Sequence, residues 1–183
     1  MGELLAEVNQ SDGGCSEILT VFSGAHQMGW LATGSKDHAR SYAGLEERCI
    51  PLFGKVQRFR DQGEAMCSLA HILRLLERDS EAATWLQRAR DVGAAHGFVS
   101  LESTACKGLG MASMEEGRHE EGLELLRNAL VAAELNELDE PQYELDALKS
   151  LIPELFLVRA FDEVEPLVLA NTTGHDTSQY NRL

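Results

Sequence analysis

Cys67 and His71 stand four residues apart, the spacing that puts two side chains on one helical face and the one two metal ligands would need. A closed site requires two further ligands, and no second Cys/His pair at that spacing exists. The pair therefore reads as a small thiol and a histidine on a helix surface. His26 and Trp30 repeat the spacing and read as a packing pair. Glu115-Glu116, Glu120-Glu121 and the run from Glu134 to Glu140 supply adjacent carboxylates of the kind acid–base catalysis uses. Separating two carboxylate pKa values requires burial, however, and helix ends and turns leave such groups in water. Met111 and Met114 share a helical face that suits either core packing or soft contact with a partner helix. No Gly-rich phosphate loop, nucleophile elbow or His-Glu-x-x-His segment is present. The expectation is a protein that is not an enzyme and uses no cofactor and no metal.

The elements that must carry these residues are helices. Only 6% of the 183 residues are aromatic and only 4 are proline, too few strand formers and turn signals for an all-β chain. With 16 basic against 30 acidic side chains the net charge is −14, which repels polyanions and argues against nucleic acid as a partner. The stretch from Leu151 to Ala160 is interrupted by Pro153, Glu154 and Arg159 and falls short of the roughly 20 apolar residues that span a bilayer. The N-terminus carries no basic targeting region, and Cys15, Cys49, Cys67 and Cys106 form no Cys-x-x-Cys pair. Reduced thiols and a cytoplasmic location follow as the expectation. Asn171-Thr172-Thr173 matches a glycosylation triplet but lies in a polar tail, residues 171–183.

Small and large apolar residues recur at three-and-four spacing. The pattern predicts helices from Glu64 to Glu77 (Met66, Leu69, Ala70 and Leu73 inward) and from Asp79 to His96 (Ala82, Leu86, Ala89 and Gly93). It predicts two more from Leu101 to Glu116 (Cys106, Leu109, Gly110 and Ser113) and from His119 to Asn136 (Gly122, Leu126, Ala129 and Ala133). Residues 63–94 laid over 103–134 without a gap share Ala65/Ala105, Leu69/Leu109, Arg78/Arg118, Glu81/Glu121, Leu86/Leu126 and Ala89/Ala129. Four of these six identities are inward positions, where a structural repeat has to agree. In this register Cys106 fills the inward slot of Met66, so it should be buried and inert, with Cys67 the more reachable thiol.

Leu69-Ala70, Leu73, Ala82, Leu86 and Ala89, followed by Leu109-Gly110, Gly122, Leu126 and Ala129, resemble the tetratricopeptide pattern. There a large–small pair on the first helix faces small, large and Ala on the second, and the small residues let the helices of a hairpin approach closely. The 40-residue period exceeds the family's 34 and resembles the longer-helix MalT-like regions; HEAT-type repeats share the period and stay open as the alternative. A shift of 41 places Ala25, Met28-Gly29, Ala32, Ser41 and Leu45 on the template, with a turn over Gly34-Ser35-Lys36-Asp37. A shift of 42 places Leu148, Leu151, Leu155, Val164 and Val168, with Ile152 in a small-residue slot and Pro153 removing a helical N–H, as in a kinked cap. Gly2 to Asn9 reads as a short amphipathic helix before a turn, as if the second helix of a hairpin in a longer array.

The expected fold is all-α, a right-handed solenoid of antiparallel hairpins over residues 1–170, with units 22–62, 63–102, 103–144 and 145–170. The resemblance implies a protein-binding scaffold whose concave groove holds a peptide or partner helix; the alternative it implies is a regulatory sensor segment of a larger signalling or transcription-regulating protein. Carried over from the family's first-helix positions, the groove comprises His26, Trp30 and Thr33, then Cys67, His71 and Arg74. The next units contribute Lys107, Met111 and Met114, then Lys149, Pro153 and Phe156. The charged members Arg74, Lys107 and Lys149 are all basic, a locally positive stripe suited to an acidic segment, while Trp30, Met111 and Phe156 offer apolar anchors.

Overall fold

The computed structural model describes residues 32–135 and 141–174. Seven helices follow one another from residue 36 on among the described residues: α1 (Lys36–Lys55), α2 (Phe59–Leu75), α3 (Asp79–His96), α4 (Val99–Glu115), α5 (His119–Glu134), α6 (Pro141–Leu157) and α7 (Phe161–Gly174). Their ends are encoded locally. Ser35 caps α1 by accepting from the Asp37 N–H at 3.3 Å. Elsewhere arginine stands where a capping hydroxyl is usual, at Arg58, Arg78 and Arg118, and each guanidinium reaches the acid three residues on, Asp61, Glu81 or Glu121. Those acids sit in the first turn, where the helix dipole favours negative charge.

Apart from the six residues between α5 and α6, the connections are two or three residues long and share one device. Gln57, Glu77, Gly97, Gly117 and Arg159 have φ of 58°, 62°, 69°, 80° and 60°, left-handed residues that end a helix. The next N–H then bonds back five residues, as in Arg78 to Leu73 at 2.8 Å, Arg118 to Ser113 at 2.9 Å and Ala160 to Leu155 at 2.9 Å. Gln57, Glu77 and Arg159 adopt this conformation without being glycine, at a cost of about 1–2 kcal/mol each. The closure is thus maintained against local preference by the packing of the helices on either side.

Hairpins α2–α3, α4–α5 and α6–α7 stack in order, and α1 packs on α2 as the second helix of a preceding unit. Of the residues the repeat singled out, Leu69, Ala70, Ala82, Leu86, Ala89, Leu126 and Ala129 are buried, while Leu109 is only half-buried. At about 1.5–3 kcal/mol for each fully buried Leu, this seam is the main source of stability. Gly110 and Gly122 face each other across α4 and α5. A Cβ on Gly110 would lie 2.8 Å from Leu126 Cγ and 3.0 Å from the Gly122 carbonyl, so only glycine allows this approach. Ser103 seals the same interface by donating to the buried Ala129 carbonyl at 2.8 Å.

First helices of successive hairpins pack on each other, α2 on α4 and α4 on α6, whereas α3, α5 and α7 do not. This asymmetry curves the stack into a solenoid whose inner wall is α2, α4 and α6. One register differs from expectation. The left-handed residue before α1 is Gly34, 43 positions before Glu77, rather than 41. Ser41 is accordingly exposed and Leu45 half-buried, while Ala39, Ala43 and Ile50 take the inward positions. The expectations for Gly2 to Asn9, Ala25 and Met28-Gly29 lie outside the described residues, as does the tail from residue 175 on.

Candidate interaction surface

Along α2 the residues Arg60, Glu64, Cys67, His71 and Arg74 recur at three-and-four spacing and so form one stripe. Their counterparts on α4 are Ser100, Thr104, Lys107, Met111 and Glu115, and α6 adds Asp146, Lys149 and Pro153. Side-chain bonds stitch the stripes together: Arg60 donates to Ser100 Oγ at 3.1 Å and lies 4.6 Å over the Phe98 ring, and Arg74 pairs with Glu115 at 2.5 Å. His71 and Met111 are exposed in the centre. Of the residues expected in the groove, the structure brings together Cys67, His71, Arg74, Lys107 and Met111, with Lys149 on the neighbouring α6. His26 and Trp30 lie outside the described residues.

Two expected members are placed elsewhere. Met114 is 7% exposed, and its Sδ lies 2.6 Å from where a Cβ on Gly122 would be. It therefore closes the α4–α5 hairpin and does not line the wall; Glu115, one residue on, takes that position against Arg74. Phe156 is half-exposed at the α6–α7 corner, where its ring meets Phe161 edge-on at 5.7 Å between centroids. The uniform basic character of the stripe is also revised. Glu115 neutralises Arg74 and Asp146 lies 3.4 Å from Lys149, which leaves Lys107, with Arg60 bound to Ser100 and Phe98, as wall cations with no ion pair among the described residues. Sequence reasoning missed Arg60, Glu64 and Glu115. The available signal was the spacing of Arg74 and Glu115, 41 residues and so nearly one repeat apart with opposite charge.

The thiols are held protonated. Burial pushes Cys67 up to about 12, reinforced by the nearby Glu64 charge and opposed by Lys107. Burial likewise raises Cys106, with Arg90 opposing it, and raises Glu64, helped by Asp61. Cys67 is only half-buried as a residue while Cys106 is buried, so exposure follows the expected order. Its thiol nevertheless points among apolar neighbours of the core, which makes it a poor nucleophile at neutral pH. Among the described residues no three His, Cys, Asp or Glu side chains converge as a metal site would require. On the opposite side, a cavity of about 270 Å³ lies between α3 and α5, floored by Leu109 and Ser113 of α4. Arg118 there is already bonded to Glu121, Glu116 and Ser113. No helix among the described residues is long and apolar enough to cross a membrane.

No protein-family model and no curated protein matches the sequence. Solved structures do match. A kinesin light chain-like protein of Podosopora anserina with nearly identical TPR-like repeats superposes with a TM-score of 0.65 at 16% identity, covering 89% of this chain and 79% of that one. A single-substitution form of it gives 0.66 at 16% identity, covering 89% and 78%. At that identity the likeness is one of architecture, and with the buried large–small pairs and the curved inner wall it establishes a TPR-like solenoid of helix hairpins.

Proposed function

We propose that the chain is a non-enzymatic protein–protein interaction scaffold that holds a peptide or partner helix along the wall formed by α2, α4 and α6. The observation that carries this reading is the continuity of that wall: first helices pack edge to edge while second helices do not, which leaves an extended concave strip. Lys107 makes no ion pair among the described residues and lies beside exposed His71 and Met111, which favours a segment carrying a carboxylate beside an apolar side chain. The units of the scaffold are 22–62, 63–102, 103–144 and 145–170. A net charge of −14 supports partners other than nucleic acid, and the free cysteines support a reducing, cytoplasmic setting.

The test is retention of partners on immobilised chain, compared with Lys107→Glu/Met111→Glu, which alters exposed wall positions without touching the hairpin seams. Proteins retained by the wild type and lost from the double variant support the reading; an identical retained set overturns it. A regulatory sensor segment of a larger protein is the second reading. It is favoured by units of 40 to 43 residues between left-handed turn residues, as in the longer-helix MalT-like regions.

A further inference from the structure

We propose that the α6–α7 hairpin docks a basic amphipathic helix of a partner protein, on a surface separate from the concave wall. Phe156, Leu157, Phe161 and Val168 are 51%, 74%, 53% and 41% exposed. They are grouped, since the Phe156 and Phe161 rings touch edge-on, Leu157 follows Phe156, and Val168 lies two turns beyond Phe161 on the same face of α7. Clustered apolar side chains of this size on a soluble surface mark an interaction site.

The border of the patch defines the occupant. Glu154, Asp162 and Glu165 surround it with no ion pair among the described residues, against Arg159 as the one cation in the same position; Glu163 is committed to Arg127. Glu165 lies one turn after Phe161 and one turn before Val168, so the negative charge runs through the apolar stripe itself. A second copy would bring acidic rim onto acidic rim in a chain of net charge −14. A partner presenting Lys and Arg beside its apolar face gains where a copy loses. The partner element is helical because two helices border the site, which offers no strand edge to extend. A stripe two turns long accepts anchors at i, i+3, i+4 and i+7.

The experiment uses a fluorescent 18-residue peptide with Leu at i, i+3, i+4 and i+7 and Lys elsewhere, and a counterpart with Glu for Lys, read by anisotropy against the full chain. The Lys peptide is expected to bind at least tenfold more tightly than the Glu peptide and to weaken with salt. Phe161→Ser/Val168→Ser, both exposed and charge-neutral, should weaken it at least tenfold. Glu154→Gln/Glu165→Gln, which leaves the apolar surface intact, should weaken it severalfold and flatten its salt dependence. Lys107→Glu/Met111→Glu should not weaken it, which separates this site from the wall. Equal binding of the two peptides, or binding indifferent to both α6–α7 variants, overturns the proposal. A dimer in sedimentation equilibrium that Phe161→Ser/Val168→Ser dissociates would assign the face to a second copy. A tenfold gain in peptide affinity on deleting residues 175–183 would assign it to the chain's own tail. Either result overturns the proposal.

Discussion

The α4–α5 and α6–α7 hairpins occupy successive turns of one solenoid, 42 residues apart, yet they close differently. Where α4 has Gly110 and α5 has Gly122, α6 has Ile152 and α7 has Val164. In the first case backbone meets backbone, with the Gly122 carbonyl 3.0 Å from where a Gly110 Cβ would stand. In the second, branched side chains stand at both positions, and α6 and α7 pack far less extensively. Met114 and Leu126 are buried in the tight hairpin, while their counterparts Phe156 and Val168 are exposed in the open one. One pair of small residues thus separates a hairpin in which these apolar positions are core from one in which they are exposed.

Truncating the matched leucine and valine tests this directly. Leu126→Ala should destabilise the chain by about 3–4 kcal/mol, as expected for a fully buried Leu whose site cannot collapse. Val168→Ala should stay within about 0.5 kcal/mol, as surface changes do. Urea midpoints with unchanged m-values measure both. Equal losses would show that α7 is as tightly packed as α5.

At the closing position itself, Gly110→Ala places a methyl against Leu126 and the Gly122 carbonyl. It should cost about 1–3 kcal/mol despite the better helix propensity of Ala, because a carbonyl cannot rotate away as a side chain can. Ile152→Ala, in the open hairpin, removes volume from a half-buried site and should cost no more than about 1 kcal/mol. A neutral Gly110→Ala would mean that the hairpin tolerates separation and that the contrast arises elsewhere.

The sequence pattern contained most of the tight region. Leu69-Ala70, Leu86, Ala89, Gly110, Gly122 and Leu126 were legible because burial on both sides of a helix leaves a strict three-and-four signature. Ile152 was legible as a departure, although the exposure of Phe156 at the α6–α7 corner was not. The first unit was read two residues out of register, because Ser41 and Leu45 satisfy a loose apolar template while the turn that sets the phase is fixed by the conformation of Gly34. The wall was half legible. Offsets along one helix put Cys67, His71, Lys107 and Met111 on one face, but Met114 and Glu115 are neighbours 100° apart, and which of them turns outward depends on Gly122 leaving room for sulfur. Ion pairs between repeats, such as Arg74 with Glu115, leave only a charge and a distance in the sequence.

Cys67 sharpens the contrast from inside the tight region. Its thiol, pushed up to about 12, keeps its proton in the folded chain at pH values where the unfolded thiol, near 9.0, loses it. The neutral form is the one folding favours. Stability from this group is therefore intact below pH 9 and falls as pH rises toward 12. Measured as the difference between wild type and Cys67→Ser, the urea midpoint should drop across that window. Alkylation by iodoacetamide at pH 8 should be more than about tenfold slower for folded Cys67 than in urea, since the thiolate is the nucleophile. A folded rate equal to the unfolded one would place the thiol in water and α2 outside the tight region.

The smallest expected effect concerns the tie between the two regions. Arg127 on α5 donates Nε and one terminal nitrogen to Glu163 on α7 at 2.9 and 2.7 Å, a two-bond fork between second helices that otherwise do not pack on each other. Both side chains are more than two-fifths exposed, so the pair is screened, and Arg127→Ala should lower global stability by less than about 1 kcal/mol. Its local effect is larger in proportion, because α7 has little other packing to hold it. Amide exchange should therefore quicken in α7 while the protection of α2 to α5 stays unchanged, the signature of one weakly attached unit opening by itself. Added salt should reproduce that pattern in the wild type and add nothing to the variant. Uniform acceleration along the chain would show that α7 opens only with the whole array, and the open hairpin would then be an integral part of the cooperative core.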